Sequence, residues 1–184
     1  MRRLTAIAAL FALALCAGAT QAATQTFVCG MNHYVRNGGA EMISSAFTIR
    51  NHDAMHAATM LRVTIRDIDG NPVYDAGPAI GIPYPLNLDF PGAYPNGKDI
   101  TIAPPLGATY LRTNQIWGNN SLPAEVGGPE KGQVLTVWIV VSKEGPRNAL
   151  AVGASQRVRT RNPSTGTEAD TRDTSGADCQ VVVP

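Results

Sequence analysis

The run Asn51-His52-Asp53-Ala54-Met55-His56-Ala57-Ala58-Thr59-Met60 holds two of the chain's three histidines. On a helical turn His52 and His56, four residues apart, share a face, and that spacing suits two imidazoles on one metal ion. Thioether sulfur from Met55 or Met60, or from Met31 near His33, would bias such a site towards Cu(I), because soft ligands select soft ions. The competing reading is a solvated connection in which Asp53 caps a turn and Met60 fills the core as a flexible side chain. No cysteine, no His-x-His pair and no downstream Met-rich run accompanies the loop. The expectation is therefore no cofactor, with copper on His52, Met55 and His56 as the alternative.

Catalytic patterns are missing. The chain has no Gly-x-Ser-x-Gly elbow, no His-Glu-x-x-His and no phosphate-cradling glycine loop. Its acidic residues sit mostly at turns or near the end, where carboxylates are usually structural; Asp67 with Asp69 is the acid–base pair left to consider. The expectation is a protein that is not an enzyme. Candidate recognition residues are instead aromatic: Tyr84, Phe90, Tyr94 and Trp117 lie on long connections, where a rigid scaffold presents contacts and where aromatic rings contribute most per residue. The alternative for these rings is to close the open ends of the scaffold.

The elements that must position these side chains are strands. In 41–51, Ile43, Phe47 and Ile49 alternate with Ser44, Thr48 and Arg50; in 59–68, Leu61, Val63 and Ile65 alternate with Arg62, Thr64 and Arg66. Asp69-Gly70-Asn71 predicts a turn, with Val73-Tyr74 opening the returning strand. Residues 27–29, 33–35, 99–103, 109–113 and 149–158 complete the set, Gly153 marking a bulge or a close backbone approach. Residues 133–142 contain Val134-Leu135-Thr136-Val137-Trp138-Ile139-Val140-Val141, apolar on both faces, as expected of a central strand covered on both sides. About seven strands with turns between them predict an all-β fold, an antiparallel immunoglobulin-like sandwich with two long loops, and a small barrel is the second choice. The loops are 76–98, with five prolines, and 114–132.

Met1-Arg2-Arg3, the apolar run 4–19 and the small residues after it have the pattern of a secretory signal peptide, cleaved after Ala19 or Ala22; we take 1–22 as the signal. The apolar run is shorter than the roughly 20 residues a membrane span needs. Leu15, before Cys16, does not suit lipidation. Residues 23–159 are then one sandwich domain, and 160–184, polar and without large aliphatic side chains until the last few residues, a mobile tail. Cys29 and Cys179 form an even pair in an oxidising compartment, which predicts a disulfide tying that tail back. Removing 1–22 leaves thirteen basic against fourteen acidic residues, without the basic footprint of a nucleic-acid binder. Asn119-Asn120-Ser121 fits a glycosylation acceptor by chance composition.

Ser45-Ala46-Phe47-Thr48-Ile49-Arg50-Asn51, then Val63-Thr64-Ile65-Arg66-Asp67-Ile68-Asp69-Gly70-Asn71-Pro72-Val73, then Ile102-Ala103-Pro104-Pro105-Leu106-Gly107-Ala108-Thr109 together resemble a family of secreted bacterial proteins, domain of unknown function 3124. The resemblance spans residues 33–158, with the Pro-rich stretch as an insertion, and implies an exported β-sandwich without naming functional residues. The functional expectation is a periplasmic or secreted binding or accessory module that meets an unknown protein or surface partner through the two long loops, with no stable membrane insertion after signal cleavage.

Overall fold

Eleven strands account for most of the described chain. The computed structural model describes residues 22–82, 84, 100–102, 107–118, 122–126, 128–162, 164–165 and 167–182. The strands are β1 (Ala23–Met31), β2 (His33–Arg36), β3 (Glu41–Asn51), β4 (Ala58–Arg66), β5 (Pro72–Ala76), β6 (Ile100–Ile102), β7 (Ala108–Arg112), β8 (Leu135–Lys143), β9 (Leu150–Arg161), β10 (Glu168–Asp178) and β11 (Gln180–Val182). Helices α1 (Thr113–Trp117) and α2 (Gly128–Lys131) are single turns within the second long connection.

Two antiparallel sheets form a sandwich. The first has the order β11-β1-β8-β4-β5, with β6 also on β4; the second has the order β10-β9-β3-β2, with β7 also on β3. Alternation in the sequence places the core. Phe27 and Cys29 on β1, Val63 and Ile65 on β4, and Leu135, Val137, Ile139 and Val141 on β8 meet Phe47, Ile49, Leu111 and Val152 of the other sheet. Between Met60 and Arg62 the β4–β8 register shifts by one residue. This bulge lets one long strand take β6 along its first half and β5 along its second.

The Asp67 turn forms as expected. Its Oδ1 accepts the backbone N–H groups of Asp69 (3.0 Å) and Asn71 (2.8 Å), and Gly70 takes φ +86°. Burial pushes the Asp67 carboxyl up, but these donors and the Asn71 side chain outweigh it and leave the group below the usual range. This carboxylate is used as a turn anchor.

The polar residues after 160 are not a loose tail. β9 runs to Arg161, and β10 pairs with it from Glu168↔Arg161 to Asp178↔Gly153, with an irregularity opposite Gly153. Composition misled here because a strand on a sheet edge satisfies its backbone through a neighbour and needs no large apolar face of its own. The Cys29–Cys179 disulfide forms as expected, with Cα atoms 4.6 Å apart across a separation of 150 residues. It sits where the chain leaves the second sheet after β10 and joins the first as β11, whose partner is β1. No helix among the described residues is long and apolar enough to cross a membrane.

Candidate functional site

The connection from β3 to β4 carries the histidines, and its conformation is set by two side chains. Buried Asn51 donates from Nδ2 to the carbonyls of His56 (2.7 Å) and Ile102 (3.2 Å), and its Oδ1 accepts the N–H of Asp53 (3.1 Å). Asp53 Oδ1 in turn accepts the N–H groups of Met55 (2.8 Å) and His56 (3.1 Å). The result is a carboxylate-capped bend, without the helical turn that would have put His52 and His56 on one face. His52 is exposed and Met55 is 80% exposed, while His56 Nδ1 lies 3.1 Å from Asp53 Oδ2. Among the described residues no group of three His, Cys, Asp or Glu side chains is arranged to hold a metal ion.

Asp53 Oδ2 also receives the ammonium of Lys143, which is only 3% exposed. Lys143 follows Leu135, Val137, Ile139 and Val141 in the inward phase of β8, so the core stripe of that strand ends in a charge. Asp53 closes it, and the Glu144 carbonyl accepts a second bond from Nζ at 2.6 Å. The Lys143 ammonium, with the Met55 N–H next, holds the Asp53 carboxyl well below the usual carboxylate range against the opposing effect of burial. Gly145, at φ +77°, passes so close that a Cβ there would lie 2.6 Å from His56 Nδ1. The polar groups of this end are thus occupied by one another.

The expected recognition aromatics divide. Phe90 and Tyr94 lie outside the described residues. Tyr84 is 2% exposed, and its hydroxyl donates to the Met60 carbonyl at 3.2 Å, at the register break of β4. It is a core residue, a correction to its expected place on an exposed contact loop. Gly77, at φ +139°, makes room for it: a Cβ there would sit 2.6 Å from the Tyr84 hydroxyl and 2.2 Å from the Leu61 carbonyl. Trp117 is half-buried against the core, its ring centroid 5.0 Å from that of His33 and 6.4 Å from that of Tyr74. His33 is fully buried, with Nδ1 2.9 Å from the Thr113 hydroxyl. Tyr84 is thus part of the core, and Trp117 packs against that core from the second long connection.

The open feature lies on a face the pattern of β8 had assigned to a second covering layer. β8 is central, but its burial alternates strictly, and Trp138 and Val140 are half-buried on the outer side. By register Trp138 stands beside Thr64 and Val28, and Val140 beside Arg62 and Thr26. Among the described residues, side chains of neighbouring strands border them. Arg62 is laid across the sheet by Asp75, its Nε 2.8 Å from Oδ1 and its Nη2 on Oδ2, while the Thr64 hydroxyl donates to Asp75 Oδ1 at 3.0 Å. The Arg62 guanidinium, first among its neighbours, holds the Asp75 carboxyl below its ordinary value, and Arg66 adds to this from further off. Arg66 itself donates to the Gly70 carbonyl at 2.8 Å. Thr26, Arg62, Thr64, Arg66, Trp138, Val140 and Val182 enclose a groove of about 280 Å³.

In the sequence these residues look like ordinary strand positions. The usable signal was an apolar outward phase on β8 beside a polar one on β4, Arg62-x-Thr64-x-Arg66, which cannot form a second core.

No family model matches the chain and no curated protein matches it. Among solved structures, the crystal structure of Thermotoga maritima 1070 is similar at 14% identity, covering 84% of this chain and 91% of that one, with a TM-score of 0.34. A likeness at that level assigns nothing to this chain.

Proposed function

We propose that the chain is an exported binding module, acting in the periplasm or outside the cell, whose contact surface is the groove around Trp138. The observation that carries this reading is the solvent-facing aromatic and valine on the central strand, in a groove of about 280 Å³ rimmed by two arginines. Aromatic and arginine side chains are the residue types that dominate binding hot spots, and a concave apolar floor with a few polar groups is the usual form of a ligand site. Asp75 is ion-paired with Arg62, while Arg66 donates to a carbonyl, and among the described lining residues the groove carries two arginines and no acid. Its complement is a partner segment presenting an apolar side chain beside a carboxylate. The disulfide supports the oxidising compartment.

Anilinonaphthalene sulfonate, an aromatic anion, is a suitable first probe. The folded protein should bind it with energy transfer from Trp138, and both Trp138→Ala and Arg66→Ala should remove the signal while Trp117→Phe keeps it. Probe binding unchanged in the Trp138 and Arg66 variants would overturn the assignment.

A further inference from the structure

On the opposite side of the sandwich, the outer face of the second sheet carries a different well. Ser44 and Ala46 of β3 point away from Phe47 and Ile49, because side chains alternate along a strand. In the register Ser44 stands beside Arg157, and Ala46 stands between Ser155 on β9 and Arg112 on β7. Three small side chains therefore make a low floor across adjacent strands, and an arginine rises at either side of it. Ser44, Ser45, Ala46, Arg112, Ser155 and Arg157 enclose a cavity of about 150 Å³, enough for a tetrahedral anion and a few waters at roughly 30 Å³ per water.

We propose that this well binds one tetrahedral oxyanion, a phosphate or sulfate group, between the forks of Arg112 and Arg157 with serine hydroxyls at its base. Guanidinium forks match the geometry of such oxygens, and the hydroxyls of Ser44 and Ser155 supply shorter-range donors. Arg112 and Arg157 have other interactions within the fold. Each guanidinium offers five N–H donors, so a group oriented by one partner retains donors for a ligand. Among the described residues that line the well two are arginines and none is acidic. Arg159, the next outward position of β9, has a buried Nε without a hydrogen-bond partner among the described residues, and in the β9–β10 register Asp173 stands opposite Arg157.

The test is calorimetric titration of the disulfide-intact protein with inorganic phosphate at fixed ionic strength, repeated with sulfate, phenyl phosphate and acetate. Phosphate should bind at one site, and Arg112→Ala and Arg157→Ala should each weaken it by about tenfold or more. Ala46→Leu keeps both arginines and fills the floor; it should weaken binding equally without changing the circular dichroism or melting temperature, and Trp138→Ala should leave phosphate binding as it was. Phenyl phosphate tighter than phosphate supports the well and assigns it to a phosphorylated organic ligand; the reverse order supports it and assigns it to the free anion. Absence of saturable binding by either anion, equal affinity for acetate, or undiminished affinity in all three well variants overturns the proposal.

Discussion

The two faces of β8 differ in how completely their groups are satisfied. Inward, Leu135, Val137, Ile139 and Val141 are sealed in the core, and the final inward residue, Lys143, is closed by Asp53. Outward, among the described residues, Trp138 and Val140 are bordered by Arg62, Thr64 and Arg66 of β4, Thr26 of β1 and Val182 of β11. The histidine-bearing loop, the most suggestive stretch of the sequence, belongs to the sealed side, where Asp53 and Asn51 use its polar groups to hold the chain. The groove draws on residues that looked like ordinary strand filling. Residues with chemical potential are available for binding where the fold leaves part of their surface or some of their donors unused.

The contrast can be broken from the inside first. Replacing Cys29 and Cys179 with serine releases the β10-to-β11 crossing from β1, and urea unfolding should show a loss of about 2–5 kcal/mol, since the bridge closes a very long loop. A loss below that range would mean the crossing is held by pairing alone.

Next comes the pair of substitutions one residue apart. Ile139→Ala should cost roughly 2–5 kcal/mol, as for other buried aliphatic truncations, whereas Trp138→Ala should cost about 1 kcal/mol, the scale of cross-strand contacts on an open face. Equal losses would show that the outer face is a second core, and the groove would lose its claim to function.

Acid should act on the sealed end. Asp53 has a folded-state pKa below its unfolded value, so its stabilisation is fully present above the unfolded pKa of about 4 and is lost as pH falls through the folded value. The urea midpoint should therefore decline on acidification below about pH 4. Asp53→Asn should lower the midpoint at pH 7 and flatten that decline. Parallel curves for the two proteins would remove Asp53 from the account.

The smallest expected change in stability is at the rim. Arg66→Ala should alter it by under about 0.5 kcal/mol, as is usual for a half-exposed surface charge, while abolishing the sulfonate probe signal. A large destabilisation would make Arg66 a cover for the sheet rather than a contact group.

Much of the fold was legible along the chain. Period-two alternation in 41–51 and 59–68 placed Phe47, Ile49, Val63 and Ile65 inward, but Leu61, expected with them, is the bulge residue and Met60 is buried instead; Asp69-Gly70-Asn71 located a hairpin, and the pair Cys29 and Cys179 implied their bond. Other features were not legible. The bulge at Leu61 shows only when β4 is set against β8, and β10 has no apolar pattern because its stability comes from pairing with β9.

Strand periodicity and cysteine count are local or countable properties, so the residues themselves determined an all-β, disulfide-closed chain. Whether a given side chain is spent or open depends on what other segments bring to it. Asp53 had to meet Lys143 ninety residues away, and Tyr84 had to reach the Met60 carbonyl. Trp138 had to share a groove with Arg62 and Arg66. Those meetings are set by sheet order and register, and only the tertiary structure decided them, because burial and hydrogen-bond saturation are properties of assembled neighbours rather than of any one segment.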